Sequence, residues 1–259
     1  MRRVALRIAY RGKDFSGSQY QPGLRTVVGD MITDLQTICH DKDAEWFDIK
    51  PSSRTDAGVD ALGNVVAVNT DFRDNLQFLK ALNAVSERIF YTGIADVSDD
   101  FNPRFANERV YRYILPSDGL DVDLARLFSE LFLGEHDFIR FCKQNEDKPT
   151  VTTMDSIDVE EKDGCIVLTF RAQYYLWNMI RKISAAIDSV ARGYHTMDDV
   201  KAALGGKVIN FGIARPDALT LMEVRYEGLM FLPYDESYSE RRKDALFSNL
   251  LENTFLKSL

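Results

Sequence analysis

The sequence predicts an α+β protein made of two tandem halves. Hydrophobic residues follow the period of a strand or of a helix in the order β-α-β-β-α-β, and this order occurs twice along the chain. The chain has 259 residues, which is enough for two domains of ordinary size. A β-α-β-β-α-β unit folds as a ferredoxin-like or RRM-like domain. We therefore expect two such halves in tandem, each with a mostly antiparallel sheet.

The elements of the first half follow from local periodicity. The chain opens with a strand that has one buried face, because apolar side chains alternate with Ala or Arg from Val4 to Tyr10. Thr26 is a typical N-cap residue, and helical spacing follows it up to Cys39. The other elements of this half are predicted by the same criteria: a strand over 46–50, a turn-rich loop over 51–63, a buried strand over 64–69, a helix over 76–85 and a strand over 89–97.

The second half repeats the order. Asp163-Gly164 predicts the turn of a β-hairpin between strands over 157–161 and 165–172. The flanking elements are a strand over 109–115, a helix over 120–133, helices over 176–190 and 200–204, and a strand over 219–226. Pro103 interrupts the pattern between the halves. The predicted domains are therefore 1–105 and 106–233, followed by a tail over 234–259 in which helical spacing resumes.

The charge balance gives a mixed indication about nucleic acid. There are 32 basic and 40 acidic residues, and this net charge of −8 alone disfavours a nucleic-acid partner. Most of the charged residues among the first 25 are nevertheless basic. They are Arg2, Arg3, Arg7, Arg11, Lys13 and Arg25, and the one acidic residue is Asp14. This segment fits either a phosphate-binding patch or a solvated basic edge strand.

Several functional classes are disfavoured by what the sequence lacks. The three Cys and three His residues show no metal-ligand spacing, so we expect no metal site. Gly-x-Gly is absent, and the one Gly-x-x-x-x-Gly, Gly58 to Gly63, continues without Lys, so we expect no nucleotide cofactor. No apolar run approaches the roughly 18 residues of a membrane helix, and the start does not resemble a signal peptide. We expect a cytoplasmic protein without membrane contact.

The loop Pro51-Ser52-Ser53-Arg54-Thr55-Asp56-Ala57-Gly58-Val59-Asp60-Ala61 is the strongest candidate for chemistry. Arg54 and Asp56 stand two positions apart, so both side chains can project from one side of an extended segment. Ala57 and Gly58 let a substrate approach the backbone. The loop also fits a structural turn in which Asp56 bonds to the backbone, with Arg54 paired to Asp60.

This loop resembles the signature of the pseudouridine synthases that modify the tRNA anticodon stem-loop, the TruA family. The family pattern is Gly-Arg-Thr-Asp-Ala-Gly-Val-His, and Ser53 and Asp60 replace its first and last residues. Ser18 stands where many members have Trp. Five further segments are similar to family motifs, in the family's order: Ile8 to Gly17, Phe101 to Phe105, Arg109 to Tyr113, Gly134 to Phe138 and Tyr175 to Arg181.

The resemblance implies a site in a cleft between the two halves. It assigns the catalytic role to Asp56, as a nucleophile or as a stabiliser of the sugar cation. It assigns substrate-binding roles to three residues. Arg181 offsets the desolvation of Asp56, Tyr111 stacks on the uracil and assists proton transfer, and Arg54 fills the space left by the extruded base.

The resemblance also implies the reaction and the partners. The reaction is isomerisation of uridine to pseudouridine in the anticodon stem-loop of tRNA, around positions 38–40, without a cofactor. The implied partners are tRNA and a second copy of the chain in a homodimer. The alternative is a non-catalytic RNA-binding protein with tandem RRM-like halves, because the same fold serves that purpose. Such a module has no need for Arg54, Asp56, Tyr111 and Arg181 together.

Overall fold

The computed structural model describes residues 1–144 and 149–234. Its first half contains two helices and four strands in the predicted order. They are β1 (Arg2–Tyr10), α1 (Val27–Ile38), β2 (Lys50–Pro51), β3 (Asp60–Thr70), α2 (Asn75–Val85) and β4 (Ile89–Val97). Thr26 caps α1 as predicted, because its side chain accepts a hydrogen bond from the Gly29 amide.

The second half adds three helices and seven strands within the described residues. They are β5 (Glu108–Pro116), α3 (Val122–Ser129), β6 (Gly134–Asp137), β7 (Val151–Met154), β8 (Ser156–Lys162), β9 (Cys165–Ala172), α4 (Met179–Ala191), α5 (Met197–Leu204), β10 (Leu219–Arg225) and β11 (Leu232–Pro233). The predicted hairpin turn between β8 and β9 is confirmed, with positive φ at Asp163 and Gly164.

One nine-stranded sheet connects the two halves. Its strands lie in the order β11-β4-β1-β3-β10-β5-β9-β8, and β2 also pairs with β3. The first half therefore has the order β4-β1-β3-β2 and the second half β10-β5-β9-β8. In both, the fourth strand of the unit lies beside the first, and the third lies between the first and the second. This topology, with its mostly antiparallel pairing, confirms the α+β fold class of two tandem ferredoxin-like halves.

The halves meet at a short parallel pairing. Thr220 and Leu221 of β10 lie opposite Asp60 and Ala61 at the beginning of β3. The two-residue strand β2 pairs with β3 near its middle, at Val66 and Ala67. The loop from β2 to β3 therefore opens beside the seam between the halves, and this placement brings the Arg54–Asp56 segment against the second half.

The structure corrects two predictions in the first half. The strand predicted over 46–50 is misplaced, because Glu45–Phe47 forms one turn of 3-10 helix and the strand β2 is only Lys50–Pro51. The Asp43 carboxylate accepts from the Trp46 amide at 3.0 Å and stabilises that turn. The single buried face predicted for β1 is also wrong, since Ala5 and Ala9 on the other face are buried too. β1 lies between β3 and β4, and Phe231 covers Arg7 on that second face.

Other differences concern the second half. The helix predicted over 120–133 is shorter: α3 ends at Ser129 and is followed by a single 3-10 turn. The helix predicted over 176–190 begins only at Met179. The small sheet of β6 and β7 was not predicted, because Gly134–Asp137 is polar and lacks apolar alternation. The predicted tail lies outside the described residues from position 235 onwards.

Candidate active site in the cleft between the halves

A cleft of about 700 Å³ lies at the seam. Its walls come from both halves of the chain. The first half contributes the loop after β1 and the loop between β2 and β3, and the second half contributes β5 and the beginning of α4. The four residues singled out by the sequence, Arg54, Asp56, Tyr111 and Arg181, all line this cleft.

Buried hydrogen bonds hold the loop between β2 and β3 in place. The Thr55 amide donates to Ser18 Oγ at 2.8 Å, and the Thr55 and Tyr10 hydroxyls are 2.8 Å apart. Asn64 Nδ2 donates to the Ser53 carbonyl at 3.1 Å. Thr55 is buried, whereas Arg54 is exposed and Asp56 is partly exposed. Arg54 and Asp56 thus project from one side of the loop, as their spacing predicts.

The other end of the loop packs directly against the backbone after β1. The Gly12 amide donates to Asp60 Oδ1 at 2.7 Å, and Gly58 N donates to the Gly12 carbonyl at 3.2 Å. A Cβ atom at Gly12 would lie only 2.3 Å from the Val59 carbonyl oxygen, so this approach requires glycine. Burial raises the pKa of Asp60, while its hydrogen bond from Gly12 opposes the shift.

The Asp56 carboxylate is held from two sides. Arg181 Nη1 donates to Oδ2 at 3.1 Å, and the Trp177 indole Nε1 donates to Oδ1 at 3.1 Å. The turn alternative predicted that Asp56 bonds to the backbone and that Arg54 pairs with Asp60. Both parts are wrong, because the Asp56 carboxylate contacts these two side chains and the Arg54 guanidinium faces Gln19 instead of Asp60.

Arg181 lies on the first turn of α4 and faces into the cleft. Its side chain is only 15% exposed, which excludes a role as a solvated helix-surface arginine. Its Nε donates to the Ala214 carbonyl at 2.8 Å, and Nη1 also donates to Asn178 Oδ1 at 3.3 Å. These contacts fix the guanidinium plane before any substrate enters, with one edge directed at Asp56.

Tyr111 lies on β5 and is 7% exposed. Its ring meets Tyr175 in an edge-to-face arrangement with centroids 5.2 Å apart. Burial raises the pKa of Tyr111, and the nearby Tyr10 and Asp56 add to the rise. The Tyr111 hydroxyl is therefore protonated at neutral pH and can donate a hydrogen bond.

Arg54 lies at the exposed rim of the cleft. Its guanidinium faces the side-chain amide of Gln19, with Nε 3.1 Å and Nη2 3.3 Å from the amide oxygen in the orientation that satisfies both groups. Gln19 is itself exposed, so a ligand that enters the cleft can replace this contact. Arg54 is thus available to a ligand that enters the cleft.

Sequence reasoning missed three residues that support the site. Arg109 is buried, and its guanidinium donates to Ser53 Oγ at 3.0 Å, to the Ser52 carbonyl at 3.1 Å and to the Arg104 carbonyl at 2.8 Å. Trp177 contacts Asp56, and Lys143 Nζ lies 3.9 Å from the centroid of the Trp177 ring. The sequence contains one signal for Trp177. It is an aromatic residue just before a helix, in the same motif as Arg181.

Two arginines of the basic N-terminal segment form ion pairs within the fold. Arg2 pairs with Asp96, and Arg3, which is 3% exposed, pairs with Asp48 at 3.0 Å. Because β1 is a central strand, the interpretation as a solvated edge strand is wrong. Arg11, Lys13 and Arg25 of the same segment are exposed, so the interpretation of this segment as a phosphate-binding patch stays a prediction.

Among residues 1–144 and 149–234, no group of three or more His, Cys, Asp or Glu side chains is placed to hold a metal ion. Within the same ranges, every helix is too short or too polar to cross a membrane.

Comparisons with known proteins agree on one family. The family model described as tRNA pseudouridine synthase matches residues 129–227. The tRNA pseudouridine synthase A of Pyrococcus abyssi is 37% identical over 93% of this chain and 91% of its own length. That of Thermococcus sibiricus is 40% identical over 88% of this chain and 86% of its own length. The Methanosarcina mazei protein of the same name is 36% identical, with 93% and 90% covered.

A solved structure gives a much weaker likeness. A Cbf5-Nop10-Gar1 complex aligns with 71% of this chain and 44% of that chain, at 12% identity and a TM-score of 0.35. This score is too low to support an argument about the site.

Proposed function

Because this chain belongs to the tRNA pseudouridine synthase family, we propose that it acts on the anticodon stem-loop of tRNA, around positions 38–40, and that Asp56 carries the reaction. The enzyme isomerises uridine in tRNA to pseudouridine. The bond between N1 of uracil and C1′ of the ribose breaks, the base turns, and a bond forms between C5 and C1′. C5 loses a proton and N1 gains one, so the atoms balance without an oxidant or a reductant.

The observation that carries this proposal is the position of the Asp56 carboxylate. It lies in the cleft, 34% exposed, with Arg181 on one oxygen at 3.1 Å. The Arg181 guanidinium orients the carboxylate within the cleft, where it can meet the sugar of an entering nucleotide. The carboxylate can then attack C1′ or the base, or stabilise positive charge on the sugar.

The other three residues each have a separate role in this proposal. Arg181 orients the Asp56 carboxylate through its hydrogen bond to Oδ2. Tyr111 stacks on the uracil, and its hydroxyl assists proton transfer late in the reaction. Arg54, at the exposed rim, occupies the space that the extruded nucleotide leaves in the RNA stack. The alternative of a non-catalytic RNA-binding module does not explain why a carboxylate and a guanidinium are paired in the cleft.

The organisation of the protein is part of the same proposal. We assign residues 1–105 and 106–233 to the two domains, since each range contains one β-α-β-β-α-β unit. We also propose that the enzyme is a homodimer that works in the cytoplasm without a cofactor, as the resemblance of its motifs implies.

Mapping of the product tests the proposed substrate. The protein is incubated with an unmodified tRNA transcript, and pseudouridine is located by primer-extension stops that depend on carbodiimide treatment. New stops are expected in the anticodon stem-loop and nowhere else, with the untreated transcript as the control. Stops confined to another arm of the tRNA would refute the anticodon assignment.

A further inference from the structure

Trp177 makes a contact that the proposed mechanism does not use. Its indole Nε1 donates to Asp56 Oδ1 at 3.1 Å, while Arg181 donates to Oδ2 of the same carboxylate. We propose that Trp177 is a positioning residue that orients Asp56 for catalysis. This inference rests on the proposed function, because it assumes that the Asp56 carboxylate is the reacting group.

The two donors together determine the rotation of the carboxylate. One donor leaves the group free to turn about its terminal bond, but donors on different oxygens fix its plane. Each carboxylate oxygen has two lone pairs, so each keeps one free for the incoming nucleotide. Asp56 is therefore oriented before tRNA binds, which lowers the cost of reaching a reactive geometry.

Lys143 holds the tryptophan on both its backbone and its ring. The Lys143 amide donates to the Trp177 carbonyl at 2.7 Å, and its ammonium nitrogen lies 3.9 Å from the centroid of the indole ring. A cation over the ring face stabilises that ring orientation. Asn178, the next residue, has φ of 63° and turns the chain into α4. The contacts with Lys143 and the backbone turn at Asn178 thus direct the indole edge at Asp56.

Exposure argues against a mainly structural role for Trp177. Half of its surface, 50%, is open to solvent, so its contribution to the core is small compared with that of a buried aromatic residue. Trp177 lies in an open cleft with its N–H group on the Asp56 carboxylate. Orientation of that carboxylate explains this placement better than core packing does.

Trp177→Phe tests the proposal, because it removes the N–H donor and keeps an aromatic ring. We expect the single-turnover rate at saturating enzyme to fall about tenfold, as for loss of one hydrogen bond to a charged group. We expect tRNA affinity and the unfolding midpoint to stay unchanged. A rate within about twofold of the wild type, or a loss seen only in tRNA affinity, would overturn the proposal.

Trp46→Phe is a matched control. Trp46 also lies beneath a lysine, with Lys42 Nζ 4.9 Å from its ring centroid. It contacts Phe47 edge-to-face and is not among the residues that line the cleft. The control should keep the full rate, since it loses an indole of the same kind away from Asp56.

Fluorescence gives a readout that does not depend on activity. The chain contains two tryptophans, so the Trp46→Phe protein reports on Trp177 alone. Changing Asp56 to Ala in that background removes the acceptor and should alter the emission of Trp177. Unchanged emission would overturn the contact.

The two proposals fail in different ways. If Trp177→Phe is fully active while Asp56→Asn is inactive, the positioning role is wrong and the role of Asp56 stands. If Asp56→Asn is active, the proposed function fails whatever Trp177→Phe does.

Discussion

Arg109 connects the Asp56 loop to the second half, and Arg109→Lys tests how far the site depends on that connection. Its guanidinium donates to Ser53 Oγ and to the carbonyls of Ser52, Arg104 and Gln173. Lysine keeps the charge but donates from a single nitrogen, so it cannot reach acceptors on three separate segments. We expect at least one of these bonds to be lost without a replacement.

The expected loss of stability in Arg109→Lys follows from the burial of the side chain. Arg109 is 6% exposed, so water does not replace a lost donor at full strength. A hydrogen bond from a charged donor is worth about 1.5–3 kcal/mol, and losing one or two of them gives a destabilisation of about 3 kcal/mol. Because the Asp56 loop loses its anchor, we also expect the single-turnover rate to fall at least about tenfold.

Urea denaturation and single-turnover kinetics measure the two effects. Arg112→Lys is the matched control, since Arg112 lies three positions further along β5, on its opposite face. The reasoning is refuted if Arg109→Lys is no less stable than Arg112→Lys and has the same rate.

Three further predictions concern the loop, a buried carboxylate and the rim. Gly12→Ala forces a Cβ to 2.3 Å from a backbone oxygen, so denaturation should show a loss of about 2 kcal/mol together with reduced turnover. Burial raises the pKa of Asp34 from 3.8 to about 6. The ionised carboxylate therefore lowers the free energy of unfolding, by nothing below about pH 4 and by about 3 kcal/mol above pH 6. Urea denaturation of Asp34→Asn should show no such loss of stability between pH 4 and pH 6. Arg54→Ala should slow single turnover more than it weakens tRNA binding, and a substrate with its target uridine already unpaired should restore the rate.

Local patterns in the sequence predicted most of the fold. The strand Ile89–Val97 and the Asp163-Gly164 turn lie where alternation and turn chemistry place them. The strand predicted over 46–50 is misplaced, because a side-chain cap from Asp43 stabilises a helical turn at Glu45–Phe47. The parallel pairing of β10 with β3 joins residues far apart in the chain, and no local pattern encodes it.

Only some of the site residues were predicted, because the others make contacts between distant parts of the chain. The loop motif located Arg54 and Asp56, because both lie in one short segment. The hydrogen bond from Trp177 to Asp56 spans 121 positions, and that from Arg109 to Ser53 spans 56. These contacts depend on how the two halves meet at the seam, and only the folded chain shows them.

Single-turnover conversion of uridine by Asp56→Asn tests the central claim most directly. Asn matches Asp in size, and a partly exposed ion pair is worth about 1 kcal/mol or less, so the variant should fold and bind tRNA. An amide is a far weaker nucleophile and cannot balance positive charge on the sugar, so we expect the rate to fall by about a thousandfold or more. A folded Asp56→Asn protein that converts uridine within about tenfold of the wild-type rate would contradict the account.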